Sequence, residues 1–503
     1  MSGLIATIER RPQAAFAVFL ALHVVVWTAL PTLLYLNLPL DLIEALTYGR
    51  EWQLGYDKLP PLPWWLVEIV YRVFGRDVFF YLLAQATVIA AYAAVWAMAR
   101  KLVGGVGALV AIMITDGLHF FHFTAVKFNH DVVQLPLWAL AGYAYWAALR
   151  GGRMLHWILL GVAVGLALWA KYFVVVLVVP LALFLVLDPD ARKSLATPGP
   201  WVALAVAAAV MAPHLVWLVQ NDFLPFAYAE HRAKPFQQAL DYVIQPPKFL
   251  MLQLGFLLPS LLIASPYLRQ DVGPVDPAPP HGDAFDRRIV RLLTFGPVAM
   301  VVLMTIVSGR IPVSMWGYPL WLFFGLWGVQ RGRALERRTL TRIVVLWALT
   351  FAGYAAAFVI QYTVIPRYDQ HYRATLFPGR ELGLEMSRRY RAMTGRPLAY
   401  VIGSMWDGGN VSHYAPERPR VLIDGKPSRA PWIDLGDLRS RGAVVLWTDG
   451  SDPRVLPPAF RAIAADAEIQ PPFWLPFQIG GPVVEVGWAV LRPRPVVAVR
   501  PPP

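Results

Sequence analysis

Two acidic residues stand one helical turn apart soon after the first long apolar segment of the chain. They are Asp41 and Glu44. If residues 41–52 form a short helix, this i, i+3 spacing places both carboxylates on one face. One carboxylate can then act as a general base, and the second can hold a polar group or a metal ion. The pair is a candidate catalytic site, although a solvated helix at a membrane surface explains the spacing equally simply.

A lysine held by a rigid turn follows these acids. The sequence reads Tyr56-Asp57-Lys58-Leu59-Pro60-Pro61. Two successive prolines restrict the backbone, so Lys58 is held in a limited range of directions. An ammonium group fixed at a membrane surface can bind a phosphate. Lys58 is therefore a candidate phosphate ligand.

Several other polar residues interrupt apolar sequence. Lys171 lies between two apolar runs with no room for a long loop, so it either reaches an interface or meets a phosphate. Asp131 lies at the start of another apolar run and is a candidate substrate contact. His23, inside the first apolar segment, is interpreted as a packed core residue. His119 and His122 are spaced as a metal pair could be, but their aromatic neighbours favour packing.

The elements that must position these residues are membrane helices. Hydrophobic residues make up 57% of the 503 residues and charged residues only 15%, against about 25% in soluble proteins. The formal net charge is +13, and the basic residues that produce it lie between apolar segments. This placement is explained by membrane topology and indicates no nucleic-acid partner. The chain has no cysteine and hence no disulfide or thiol chemistry. Eleven runs are candidate spans: Ala14–Leu36, Val78–Ala99, Leu102–Thr115, Val132–Leu149, Leu155–Ala170, Tyr172–Leu187, Trp201–Val219, Phe249–Leu268, Leu292–Val307, Val313–Val329 and Ile343–Thr363.

The basic residues predict how these spans are oriented. With the N-terminus in the cytoplasm, each predicted inside loop holds at least two of them, as at Arg10 and Arg11. Residues 1–366 then form a transmembrane domain whose outer loops are 37–77, 116–131 and 220–248. The polar residues 367–503 lie outside and combine short β-like runs with one helix, Glu381–Thr394, which predicts a small α/β domain.

The order of motifs resembles the GT-C superfamily of membrane glycosyltransferases. The resemblance rests on a long first span, on Asp41-x-x-Glu44 and on Asp57-Lys58-x-Pro60-Pro61. It is closest to the bacterial transferases that add aminoarabinose or galacturonic acid to lipid A, with protein mannosyltransferases as further relatives. It extends to Gly161 and Gly165 before Lys171, to Ser308-Gly309-Arg310, and to Trp406-Asp407-Gly408-Gly409-Asn410. Relatives often have histidine where this chain has Leu59.

The resemblance implies a fold, a reaction and a set of site residues. The expected protein is a polytopic α-helical GT-C transferase of a bacterial inner membrane, with its site and C-terminal domain facing the periplasm. Its donor would be a polyprenyl phosphate sugar and its acceptor a glycolipid or glycan, such as lipid A or core oligosaccharide. Asp41 matches the catalytic acid, and Lys58 matches the lysine that contacts the donor phosphate. Further candidates are Arg310 and Lys171 for the phosphate, Tyr56, Asp131, Arg232 and Trp316 for substrate, and Asp57 with His231 for a metal.

Two choices stay open at this point. A divalent cation such as Mg, Mn or Zn is a possible cofactor, because histidine and carboxylate together suit such ions. A lipid-linked-sugar flippase and a noncatalytic membrane scaffold are the alternative functions. A transporter usually shows internal repeats and charges at mid-membrane, and neither is clear in this sequence.

Overall fold

Helices make up most of the structure, a computed structural model that describes residues 2–268, 283–331, 335–369, 371–477 and 479–494, without the side chains of residues 229 and 231. The first nine helices are α1 Ser2–Arg10, α2 Pro12–Leu34, α3 Leu40–Gly49, α4 Leu62–Phe74, α5 Val78–Asp116, α6 His130–Gly151, α7 Met154–Ala170, α8 Val175–Leu187 and α9 Gly199–Gln220. The remaining ones are α10 Leu224–Arg232, α11 Asp241–Leu268, α12 Ala284–Ser308, α13 Phe324–Gln330, α14 Arg337–Thr363, α15 Gly379–Thr394, α16 Met405–Tyr414, α17 Leu435–Arg441 and α18 Pro458–Ala464.

Seven of the described helices are long and apolar enough to cross a membrane: α2, α5, α6, α9, α11, α12 and α14. Shorter apolar helices cover Met154–Ala170 and Tyr172–Leu187. The predicted segments that coincide with these long and shorter apolar helices are thus confirmed as helical. The total of eleven spans stays a prediction. The break expected between Ala99 and Leu102 falls at Gly104, where α5 consists of two helices joined across a kink, and the φ of 71° at this residue is readily adopted by glycine.

One predicted helix is wrong in extent. The sequence predicts a span over Val313–Val329, but the structure has a 3₁₀ turn at Ser314–Gly317, turns up to Phe323, and only the short helix α13. Tyr318-Pro319 explains the break, because a proline removes a backbone donor and disfavours helical geometry in the residue before it.

The chain divides into two compact units. The first, called the helical unit here, consists of Met1–Pro31, Leu54–Pro63 and Val78–Phe358. Within it α7 packs against α6 and α9, α5 against α6 and α13, and α8 against α12. The second, called the mixed unit, consists of Thr32–Gln53, Trp64–Asp77 and Val359–Pro503. The mixed unit therefore includes α3 and most of α4, which come from the loop predicted at 37–77.

The mixed unit is built on a five-stranded sheet with the order β2-β1-β3-β5-β4. Strands β1, β2 and β3 are parallel neighbours, and β5 runs antiparallel to β3 and β4. Side chains of alternate residues face two separate apolar cores, so both faces of the sheet are covered. The strands are β1 Tyr400–Gly403, β2 Arg420–Ile423, β3 Ala443–Trp447, β4 Glu468–Pro476 and β5 Val483–Leu491.

Buried charge ties the first-loop helices into the mixed unit. Glu68 of α4 is fully buried, and both of its carboxylate oxygens accept hydrogen bonds from Arg418, at 3.0 and 2.5 Å. Arg50 donates to the carbonyl oxygen of Pro419 at 3.1 Å, and burial lowers the pKa of this arginine. Removing either partner of the Glu68 and Arg418 pair would leave a buried charge uncompensated, which is strongly destabilising.

Candidate functional site

The acidic helix α3 is positioned by the mixed unit. Helix α16 packs on α3, and Gly409 lies where a β-carbon would come within 2.6 Å of both Ile43 and Thr47. Only a glycine allows this approach without a shift. The backbone N–H of Leu38, just before α3, donates to the hydroxyl of Tyr414 at 3.1 Å. The Trp406–Asn410 motif therefore contains a glycine that fixes the helix carrying the two predicted catalytic acids.

Asp41 and Glu44 differ in exposure. Asp41 lies in the first turn of α3 and is partly exposed, whereas Glu44 is buried with 6% of its surface accessible. The partly exposed carboxylate is the better placed of the two to meet a substrate. The i, i+3 spacing predicted for a helix over 41–52 is realised by a helix over Leu40–Gly49. The catalytic roles of both residues stay predictions.

In the helical unit, Lys171 is placed by a close pair of helices. Gly161 and Gly165 of α7 face α9, where added β-carbons would come within 2.5 Å of the Ala203 carbonyl oxygen and 2.7 Å of Val210. Small residues four apart let two apolar helices approach closely. Lys171 ends α7 directly after this contact, and the negative end of the helix dipole favours a cation there.

Lys171 forms an ion pair with Asp131. Its Nζ lies 2.6 Å from Oδ1 of Asp131, and the two side chains are 16% and 10% exposed. Gln134 also donates to Oδ1 at 3.4 Å, and the Asn129 side chain accepts from the Asp131 backbone N–H at the start of α6. The structure thus brings together two residues predicted separately as phosphate and substrate contacts.

His130 links this pair to the Lys58 turn. Its Nε2 lies 3.0 Å from the carbonyl oxygen of Pro60, and both Lys58 and Lys171 act on its ring electrostatically. Lys58 also lies over the ring of Tyr228, 5.2 Å from its centroid. The two lysines, far apart in sequence, therefore approach one residue and form a basic cluster, defined here as Lys58, His130, Asp131 and Lys171.

The segment before Lys58 is anchored on α9. Nδ1 of His214 lies 2.6 Å from the Leu54 carbonyl oxygen, and its Nε2 lies 2.6 Å from the hydroxyl of Tyr172. A β-carbon on Gly55 would come within 2.1 Å of the Trp217 ring. His214 is thus a buried, hydrogen-bonded histidine. Sequence reasoning missed the anchoring contacts of His130 and His214, because nothing in the chain pairs them with the first loop.

The other predicted residues lie in varied surroundings. Arg310 donates to Glu230 Oε1 at 2.6 Å and to the carbonyl oxygens of Glu230 and Ala233, so its guanidinium supports the 220–248 loop. The Trp316 ring lies 5.3 Å from that of Phe173, next to Lys171. Tyr56 is buried and Arg232 exposed. The metal site predicted at Asp57 and His231 stays a prediction, because the His231 side chain lies outside the described part of the chain.

The chain has a GT-C type of fold, which confirms the predicted fold class, and the comparisons support the predicted resemblance. Two similar solved structures are of ArnT from Cupriavidus metallidurans. ArnT bound to undecaprenyl phosphate matches with a TM-score of 0.61 at 13% identity, covering 97% of this chain and 99% of ArnT. The apo form matches with a TM-score of 0.59 at 12% identity, covering 95% and 98%.

Sequence comparison adds two narrower similarities. A family model described as dolichyl-phosphate-mannose-protein mannosyltransferase matches residues 58–217, a range that contains the whole basic cluster. Lipid A galacturonosyltransferase RgtD of Rhizobium johnstonii is 31% identical over 179 residues. That region covers 35% of this chain and only 37% of RgtD, so the match spans well under half of the curated relative.

Proposed function

We propose that this protein transfers a sugar from a polyprenyl phosphate carrier to a periplasmic glycolipid or glycan, with lipid A or core oligosaccharide as the acceptor class. The basic cluster is the observation that supports this proposal most. Its two lysines supply positive charge of the kind that stabilises a departing phosphate. The proposal sets the protein in the bacterial inner membrane, with this cluster and the mixed unit on the periplasmic side.

The proposed reaction is a direct displacement. The acceptor hydroxyl oxygen forms a bond to the anomeric carbon while the bond from that carbon to the phosphate oxygen breaks. Asp41 takes the hydroxyl proton, a role that rests on the first-loop motif. Lys58 and Lys171 stabilise the negative charge that grows on the departing lipid phosphate. Attack opposite the leaving group inverts the anomeric centre and needs no covalent glycosyl intermediate, unlike a retaining mechanism with two carboxylates.

A divalent cation at Asp57 remains part of the prediction only. Carboxylate and histidine would suit Mg, Mn or Zn, and such an ion could supply positive charge beside a phosphate. The transfer step proposed here needs no such ion, since the proton and the leaving-group charge are carried by side chains of the chain itself.

The test is transfer by the purified full chain in reconstituted membranes. Radiolabelled polyprenyl phosphate sugars, including galacturonic acid, aminoarabinose and mannose forms, would be offered with lipid A, and label followed into the glycolipid fraction. We expect one donor to be used by the wild type and transfer to be lost in the folded Lys171→Met variant. Lys193→Met is the matched control, since Lys193 pairs with Asp190 at 3.0 Å but is 77% exposed.

Two outcomes would contradict the proposal. If no donor is used and label instead crosses the bilayer in wild type and variant alike, the protein is a flippase. If neither transfer nor movement occurs, although the protein binds the carrier lipid, a noncatalytic role is supported.

A further inference from the structure

We propose that His23, Asp116 and His122 form a binding site for a borderline divalent metal ion such as Zn²⁺, inside the helical unit and apart from the basic cluster. The three residues come from α2, from the last residue of α5 and from the turn after it. Their side chains are buried, at 0%, 1% and 0% exposure. One ligand atom from each lies within 4.8 Å of the other two.

The distances between these atoms match a tetrahedral site. His23 Nδ1 lies 3.2 Å and His122 Nε2 lies 3.4 Å from Oδ1 of Asp116. In a tetrahedral zinc site with bonds of about 2.0–2.1 Å, neighbouring ligand atoms are about 3.3 Å apart. The two distances to Asp116 are close to the edge length of such a tetrahedron, and all three ligand atoms lie within 4.8 Å of one another.

The orientation of the imidazole rings favours a metal over a proton. Within the described part of the chain, no ring nitrogen of His23 or of His122 forms a hydrogen bond of normal geometry, although His23 Nδ1 and His122 Nε2 lie 3.2 and 3.4 Å from Oδ1 of Asp116. A shared proton would need a ring N–H directed at the carboxylate oxygen. Leaving a buried imidazole nitrogen without a partner costs about 1–3 kcal/mol, and coordination would remove that cost for the one nitrogen of each ring that binds the ion.

The carboxylate is held from behind by two donors. The Tyr92 hydroxyl donates to Oδ1 of Asp116 at 2.8 Å, and the indole N–H of Trp347 donates to Oδ2 at 2.7 Å. Hydrogen bonds of this kind orient metal-ligating side chains and are as characteristic of metal sites as the ligands themselves. They leave the second lone pair of Oδ1 for an ion.

The ligand set and its aromatic neighbours determine which ion would fit. Two neutral imidazoles and one carboxylate leave a Zn²⁺ ion with one net positive charge. The ring of Trp27 lies 4.9 Å from that of His122, and the ring of Tyr92 lies 5.8 Å from that of His23. Two imidazoles with one carboxylate select a borderline ion over Mg²⁺ or Ca²⁺, which prefer oxygen ligands alone.

The ion would join α2, α5 and the segment that leads into α6. That segment, residues 117–129, ends at Asn129, which caps α6 immediately before His130 and Asp131. A metal bound to His122 would therefore limit the movement of the chain that delivers two members of the basic cluster. This positioning role is distinct from any ion at Asp57.

The experiment uses the full chain purified in detergent with a tag that contains no histidine. After treatment with a chelator, the protein is loaded with Zn²⁺ or Co²⁺ and bound metal is measured by mass spectrometry. We expect one ion per wild-type chain, none at this site in Asp116→Asn or His122→Gln, and unchanged binding in His371→Gln, an exposed histidine beside Asp369. The Co²⁺ form should show the intense visible bands of a four-coordinate ion.

X-ray absorption of the zinc-loaded wild type gives a second measurement that does not depend on the variants. Nitrogen and oxygen ligands at about 2.0 Å that include imidazole scattering would support the site. Six oxygen ligands, a substoichiometric zinc content, or full binding by both ligand variants would overturn it. Because the readout is the bound ion, this result stands apart from whether the protein transfers a sugar.

Discussion

Replacing Lys171 by methionine tests the basic cluster most directly. Methionine keeps the length and apolar stem of the side chain and removes only its charge. At 2.6 Å, the attraction between Lys171 and Asp131 is about 6 kcal/mol gross at an effective dielectric constant of about 20. Desolvation offsets part of it, so leaving Asp131 without its partner should cost about 3 kcal/mol of stability. If Lys171 also stabilises the leaving phosphate, transfer should fall by about 10²–10³.

A double variant separates these two effects. Asp131→Asn with Lys171→Met removes both charges, so no unpaired carboxylate is left and the thermal midpoint should recover most of the loss. Transfer should remain as low as in Lys171→Met alone, because the cation that meets the phosphate is still missing. The Asp131→Asn single variant keeps Lys171 and should transfer faster than either variant that lacks the lysine.

The assay is initial-rate transfer in reconstituted membranes with the donor that the wild type uses, together with thermal unfolding of the same preparations. The reasoning is refuted if the double variant transfers as fast as Asp131→Asn alone. In that case the lysine acts only through its ion pair, and the phosphate must be held by other groups.

Three further predictions concern the mixed unit. Asp41→Asn should lower transfer by about 10²–10⁴ with an unchanged unfolding midpoint, and substantial residual transfer would remove Asp41 as the general base. Glu68→Gln should lower the free energy of unfolding by about 3–5 kcal/mol, because the guanidinium of Arg418 then lacks its buried partner. The control Glu468→Gln, at an exposed ion pair, should leave the thermal midpoint unchanged. Equal midpoints for the two variants would contradict this prediction. Hydrogen bonds from Arg388 and a neighbouring arginine lower the pKa of Glu385 from 4.5 to about 2. The stability that Glu385 contributes is therefore present above pH 4.5 and lost as the pH falls towards 2. Glu385→Gln should make the thermal midpoint depend less on pH in that range, and an unchanged pH dependence would contradict this prediction.

The regular elements could largely be predicted from the sequence. Apolar length alone marks the long helices. Four strands of the sheet overlap short β-like runs of the sequence, namely Leu398–Ile402, Arg420–Ile423, Ala443–Trp447 and Val484–Leu491. The edge strand β4 was missed because Pro471 and Pro472 argue against a strand. A register irregularity between Gln470 and Phe473 accommodates them. Local pattern thus predicts an element well where local preference agrees with the tertiary structure.

The grouping of elements could not be predicted in the same way. A linear reading divides the chain at residue 366, yet α3 and most of α4 belong to the same compact unit as the strands. The one residue in the sequence that reflects this grouping is Gly409. By itself it indicates only a turn, and its role becomes clear only from its close approach to Ile43 and Thr47. Close packing of this kind depends on what lies opposite the glycine, which the sequence does not state.

The His23 and Asp116 pair shows the same limit for a site. Each residue has a sufficient local explanation: a histidine inside an apolar run can be packed, and an acid after an apolar run can end a span. Their grouping is visible only in the structure, where His23 of α2 and His122 of the following turn both lie next to Asp116 at the end of α5. A buried carboxylate is costly in an apolar interior, and so are two buried imidazoles whose nitrogens form no hydrogen bond. The three residues together are therefore more informative than any one of them alone. A metal ion accounts for all three at once, which is why the zinc content of the wild-type chain decides between a packed cluster and a built site.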